Sequence, residues 1–355
     1  MSTRGARFAL AVLLVSVSGW TLSLAQPQPH YILAGIDIYG NTKTADSVIL
    51  GLLNIPEGAE VDAQIITTLD RRLRNSGKFA FAQISSTIYG DHKDYLTVDI
   101  VEFGEENRLK LNPAPTGNVA VPQEVLDWIH RYQKVSLESF ENNPRRLRDL
   151  EDGHYLDSDP AVRKYEERML VMVPENYDVL VKALREDKDD DKRASCAMLL
   201  GWAKDKKAVI VPLEAALKDP SVEVRANAAR SLIPIAYYAA HTAIFFPLDP
   251  VLDLLHHPTS PDRTKALAIL LQLAEDKDLH ETIRENAGAL LVKMVGIKQP
   301  VQREHAVVLL TLISGEKYGR DATKWQAWWK TQKAGPAPPK KKEAATPKPT
   351  SGGQK

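Results

Sequence analysis

Residues 32 to 102 constrain this chain most, because strand-like and helix-like hydrophobic periods follow one another there in a fixed order. Ile32, Ala34, Ile36 and Ile38 alternate, which predicts a strand with one face on a core. Tyr39-Gly40-Asn41-Thr42 supplies a turn. Val48, Ile49, Leu52 and Leu53 then line one face of a helix, and Ile55-Pro56-Glu57-Gly58 closes it with a loop. A second helix opens at Asp62, a suitable N-cap, and carries Ile65, Ile66, Leu69 and Leu73. It stops at Asn75-Ser76-Gly77, where a C-terminal glycine belongs. Ala82, Ile84 and Ile88 alternate, and Leu96, Val98 and Ile100 alternate again, predicting two closing strands. Thr97 and Asp99 fall between the apolar residues of the last strand, which is therefore expected to show one polar face.

From about Tyr177 the pattern is helical, and it repeats. An apolar helix, a short polar break and a second helix recur four times. The second helices open at Lys192-Arg193-Ala194, Val224-Arg225-Ala226, Thr264-Lys265-Ala266 and Gln302-Arg303-Glu304. Taking Arg193, Arg225, Lys265 and Arg303 as equivalents gives spacings of 32, 40 and 38 residues, the range of two-helix repeats. Pro220 and Pro261 sit near the start of the following helix, where the missing N–H costs nothing. Early alanines let neighbouring helices approach closely.

These two regions resemble known families. The Gly40-Asn41-Thr42 turn, the Pro56-Glu57-Gly58 loop and the Ser76-Gly77-Lys78-Phe79 ending occur in the order of a POTRA domain of bacterial envelope proteins. The run Asp219-Pro220-Ser221-Val222-Glu223-Val224-Arg225-Ala226-Asn227-Ala228-Ala229 resembles a HEAT repeat. The resemblance implies an α+β POTRA-like β-α-α-β-β domain at residues 30–103, followed by an all-α HEAT-like solenoid at 160–333. It further implies handling of other polypeptides without covalent chemistry, with an extended partner segment adding to the open sheet edge. Familiar POTRA proteins continue into an outer-membrane β-barrel; helices stand here in its place, so the resemblance carries no pore and no insertase. A solenoid adds a curved surface of the kind that binds proteins or peptides.

Residues 104–159 read as a linker and a capping helix. Pro113, Pro115, Gly117 and Pro122 mark the linker, and Val125, Trp128, Ile129 and Tyr132 share one helix face. A further helix starts at Asp159-Pro160 with Val162, Tyr165, Met169 and Met172, and Arg145 to Asp159 reads as a solvated loop. At the N-terminus, Arg4 and Arg7, the apolar run Phe8 to Gly19 and the small residues of Ser23-Leu24-Ala25 predict a signal peptide at 1–25, cut before Gln26. The expected location is periplasmic or secreted; an uncleaved anchor is the alternative. Residues 334–355, rich in proline and lysine, read as a disordered tail.

Formal net charge is zero. The leader holds two arginines and no acid, and the tail five lysines and Glu343, so residues between them carry about −6, which argues against a nucleic-acid partner. Leu232 to Leu248 is rich in aromatics and too short for a span. It reads either as a long helix with a buried crossover or as an aromatic ledge that contacts a partner or a membrane surface, and Tyr237, Tyr238, Phe245 and Phe246 are the candidate protein-binding residues. Membrane contact is expected to be peripheral at most. Trp325, Trp328 and Trp329 are expected to pack on the last repeat. The single cysteine, Cys196, reads as a core residue rather than a nucleophile. No metal, cofactor or catalytic motif is found, so no cofactor is expected. The expectation is a non-catalytic protein-binding scaffold of the cell envelope, in the setting of outer-membrane protein assembly or secretion. The alternatives are a HEAT-like lyase of envelope maturation and a purely structural subunit of an envelope complex.

Overall fold

Two hydrophobic cores organise the chain, one for each predicted half. The computed structural model describes residues 30–90, 92–242 and 244–333; the expected signal peptide at 1–25 and the tail at 334–355 lie outside them. The N-terminal module runs β1 (Tyr31–Tyr39), α1 (Asp46–Leu53), β2 (Glu60–Val61), α2 (Ala63–Asn75), β3 (Phe81–Ile88) and β4 (Lys93–Val101). Its four strands are ordered β2-β1-β4-β3, with β1 parallel to β4 and the other pairs antiparallel. Ile49, Leu53, Leu69 and Leu73 on the two helices close over Leu33, Ile36, Ile84, Leu96, Val98 and Ile100. Asp62 caps α2, its carboxylate accepting from Ile65 N–H at 2.7 Å. Gly77 takes φ +65°, the left-handed conformation that follows a helix end.

Two details of this module differ from the sequence pattern. β1 slips register against β4 between Leu33 and Gly35. The core therefore receives Leu33 and then Ile36, while Ile32 faces solvent; one irregular residue is enough to exchange strand faces. Ile88 follows Ala82 and Ile84 in alternation yet is exposed and lies outside the core.

The helical part comprises α3 (Gln123–Asn142), a hairpin of β5 (Arg148–Glu151) and β6 (His154–Asp157), and α4 (Pro160–Glu175). Then follow α5 (Tyr177–Glu186), α6 (Asp190–Leu199), α7 (Lys206–Ala216), α8 (Val222–Thr242) and α9 (Asp249–Leu255). α10 (Ser260–Leu273), α11 (His280–Val295), α12 (Pro300–Ser314) and α13 (Ala322–Lys333) complete it. Asp189, Asp205 and Gln299 cap α6, α7 and α12 through bonds of 3.0, 2.9 and 2.7 Å to amides three residues on. One continuous core runs from Val125 and Ile129 on α3 to Trp325 and Trp328 on α13, so both ends of the array are covered. Trp329 lies against Gly288 of α11, where a side chain on that residue would collide with the indole ring.

The stretch expected as a solvated loop is instead the β5–β6 hairpin. Asp152 (φ +41°) and Gly153 (φ +75°) form its turn, an Asp-Gly pair of the kind two-residue hairpins favour. Arg146 Nε donates to Asp157 at 2.7 Å, and Arg148 Nη2 and the Tyr132 hydroxyl donate to Glu166 at 3.2 and 3.1 Å. The hairpin is thus held to α4 by the Glu166 carboxylate, to which the Tyr132 hydroxyl of α3 also donates. The proline-marked linker is also docked: Gly117 N–H donates to Glu186 O at 2.9 Å, and Lys188 N–H donates to Gly117 O at 2.8 Å. A Cβ at Gly117 would lie 2.5 Å from Glu186 O, so the approach needs glycine.

Candidate functional site

The arginines that open the second helices build the platform on which the two modules meet. Arg193, Arg225, Arg263 and Arg303 each donate from Nη1 to the carbonyl six residues earlier, on Asp187, Asp219, His257 and Ile297. Arg263, not Lys265, is therefore the counterpart of Arg225. In the first two steps the guanidinium also meets a carboxylate of the following repeat. Arg193 bonds Asp219 twice at 2.8 Å, and Arg225 Nη2 bonds Asp262 at 2.9 Å. Asp262 is held well below the usual carboxylate range: burial works against its charge, and His257 and Arg225 outweigh that.

The third step departs from the pattern. The residue equivalent to Asp219 is Ile297, so the next turn offers Arg263 no carboxylate there. β4 supplies one. Asp99 accepts from Arg263 Nη2 at 2.7 Å and from Ser260 N–H at 2.6 Å, with both charged side chains almost fully buried. Burial pushes the Asp99 carboxyl up, and Arg263 opposes it. Beside it Asp37 accepts from Lys298 N–H at 2.8 Å and Gln299 N–H at 2.7 Å, at the start of α12. The Tyr39 ring lies 3.6 Å under the Arg263 guanidinium, a close cation–π contact. Lys298 also pairs with Glu57. The polar face of the sheet is thus a buried interface with the helical array.

Two surfaces remain for partners. β3 is an outer strand of the sheet. Its Tyr89 N–H end bonds back to Lys93 O at 2.9 Å, so odd-numbered groups face β4 and even-numbered ones face outward. One outward amide is already taken: Ile84 N–H donates to Asp70 Oδ1 of α2 at 2.8 Å. An added strand has to displace that carboxylate.

The second surface is the aromatic stretch, and the structure divides it. Tyr237 and Tyr238 lie half-buried on the last turns of α8. Tyr237 stacks on His241 at 4.1 Å, and Tyr238 lies beside Gly153 of the hairpin turn. Phe246 is 5% exposed and belongs to the core, whereas Phe245 is 78% exposed. Of the four candidates only Phe245 stands clear of the surface. Cys196 is buried and its thiol is pushed up to about 12 by desolvation. Among the described residues no group of three or more His, Cys, Asp or Glu is placed to hold a metal, and no helix is long and apolar enough to cross a membrane.

Comparison with family models agrees with this division. Residues 31–102 match the POTRA family, described as a surface antigen variable number repeat, and residues 177–268 match HEAT repeats. The chain carries a POTRA domain followed by HEAT repeats. No curated protein matches it. Both modules commonly mediate protein–protein interaction, and together they mark an interaction scaffold. Of the residues that join the sheet to the repeats, the sequence placed Tyr39 in a turn and Asp99 on a polar strand face, and Asp37 and Arg263 were not singled out. Their signal was that the last turn has Ile297 and Gln302 where the preceding steps use Asp219 and Asp262, so it offers the ladder arginine no acid.

Proposed function

We propose that this protein is an exported, non-catalytic scaffold of the bacterial cell envelope that holds partner polypeptides during outer-membrane protein assembly or secretion. The observation that carries the proposal is the Asp99–Arg263 junction. It fixes an interaction sheet on an interaction solenoid while leaving β3 at the sheet edge and Phe245 in the open. A partner segment pairs with the outer edge of β3 and is anchored at Phe245, in keeping with strand addition and aromatic hot spots. Export rests on Arg4, Arg7, the apolar run after them and Ser23-Leu24-Ala25. Pull-down of the tagged full-length protein from envelope extract tests the reading. Recovery of outer-membrane or secreted polypeptides, with an N-terminus near Gln26 on the mature chain, is the expected result. A cytosolic protein that retains Met1 overturns export, and the absence of polypeptide partners overturns the scaffold.

A further inference from the structure

We propose that the cleft where the POTRA sheet meets the repeats binds a carboxylate carried on a polypeptide. The cleft has two lobes, of about 420 and 300 Å³, that share Tyr39, Asn107 and Arg108. Lobes of that size admit a side chain or a short peptide turn. The walls carry Arg108, Lys110, Lys218 and Lys293 against two acids, Glu105 and Asp253. This local positive excess stands in a body of net charge near −6, so the cleft draws anions that the rest of the surface repels.

Two side chains point to a ligand. The described bonds of Arg108, to Gly40 O at 3.0 Å and Glu105 Oε2 at 3.1 Å, both use Nη1. Its Nε–Nη2 edge has no partner among the described residues, and that edge is the fork that grips a carboxylate with two parallel bonds. His257 lines the smaller lobe and is 6% exposed. Its Nδ1 lies 2.9 Å from Asp262 Oδ2 and 3.1 Å from Thr259 Oγ1, which fixes the ring. Its Nε2 is buried and has no partner. A buried polar atom left unpaired is costly, and a polar ligand atom facing Nε2 removes that cost. Glu105 and Asp253 in the walls favour a singly charged carboxylate over a phosphate dianion. The polypeptide carrier rests on the scaffold reading; the anion chemistry of the cleft does not.

The test uses full-length protein and fluorescence anisotropy. The probe is a labelled, end-amidated pentapeptide of alternating glutamate and alanine, with its glutamine counterpart as the uncharged arm and inorganic phosphate as competitor. The glutamate peptide is expected to saturate and the glutamine peptide not to bind. Arg108→Gln should weaken binding about tenfold or more, the worth of a charge-assisted fork. Exposed Lys293→Gln should weaken it several-fold with an unchanged melting curve, which keeps the test valid if Arg108→Gln fails to fold. Lys330→Gln, outside the cleft, should change nothing. Equal binding of both peptides, no binding at millimolar concentration, or unchanged affinity in both cleft variants overturns the inference. Phosphate binding without peptide binding also overturns it, by assigning the cleft to free oxyanions. Partner capture in the pull-down is judged separately, so a scaffold that works through β3 or Phe245 survives failure of this cleft.

Discussion

Asp99→Ala is the sharpest perturbation of the link between the modules. The substitution leaves the Arg263 guanidinium 1% exposed without its counter-charge, and leaves the Ser260 amide without its acceptor. Arg263 keeps its carbonyl bonds to His257 and Pro258 and its contact with Tyr39, so it has nowhere better to go. Removing one partner of a buried pair costs about 3–5 kcal/mol. Replacing both, as in Asp99→Ala with Arg263→Met, removes the stranded charge and leaves mainly the Ser260 amide, at about 1–3 kcal/mol. The double variant should therefore be more stable than Asp99→Ala alone. Urea denaturation read by two probes measures this. Tryptophans 128, 202, 325, 328 and 329 all lie in the helical part, so their fluorescence follows the repeats, while circular dichroism follows both modules. Wild type should unfold in one coincident transition. Asp99→Ala should separate the probes, with the POTRA module lost first. A loss under about 1 kcal/mol, coincident probes, or a double variant weaker than the single one would refute the junction as the coupling element.

Other predictions concern the surfaces and the fold. Phe246→Ala should lower stability by about 3–5 kcal/mol in a denaturation curve, while Phe245→Ala should leave the curve within about 0.5 kcal/mol and weaken partner capture. Glu102 accepts from the amides of Thr42, Lys43 and Thr44; burial opposes its charge, but these bonds and the Thr42 hydroxyl lower its pKa from 4.5 to about 2. Because the folded value lies below the unfolded one, that stabilisation is full above about pH 4.5 and drains as pH falls toward 2, so Glu102→Gln should flatten the stability–pH curve across that window. Asp70→Ala frees the outward amide of Ile84 and should increase strand addition to β3, seen as tighter capture of an extended peptide or as self-association in sedimentation; unchanged behaviour would take β3 out of the binding surface.

Much of the fold was legible because it is written in local periods. Asp62, Leu69, Leu73 and Gly77 define α2 without outside help, and Val125, Ile129 and Tyr132 define the buried face of α3. The hairpin at 148–157 was missed because Leu150 stands alone among Arg148, Asp149 and Glu151 in β5, too little for an apolar alternation; its core is a charge network with Glu166 on α4. Its one local sign was Asp152-Gly153, the turn pair. The equivalence of Lys265 with Arg225 failed for a different reason. Period alone places a basic residue only to within a turn, whereas the structural rule is a bond to the carbonyl six residues back, which Arg263 makes.

The junction was the least legible part, because a polar strand face gives the same alternation whether it meets water or a second module. Thr97 and Asp99 read as one polar strand face because they alternate with Leu96, Val98 and Ile100. What separates the two outcomes is a defect elsewhere. The last turn has Ile297 and Gln302 at the positions from which Asp219 meets Arg193 and Asp262 meets Arg225, so the ladder arrives at Arg263 with one carboxylate too few. A buried arginine cannot be left that way at a cost of several kcal/mol. Something must bring the charge, and among the described residues it comes from the POTRA module. Asp99 and Asp37 are the acids on its non-core face that meet the repeats, one at Arg263 and the other at the first turn of α12. The gap in the solenoid and the acids on the sheet thus specify each other, and the cleft beside Tyr39 and Arg108 is a consequence of where they meet.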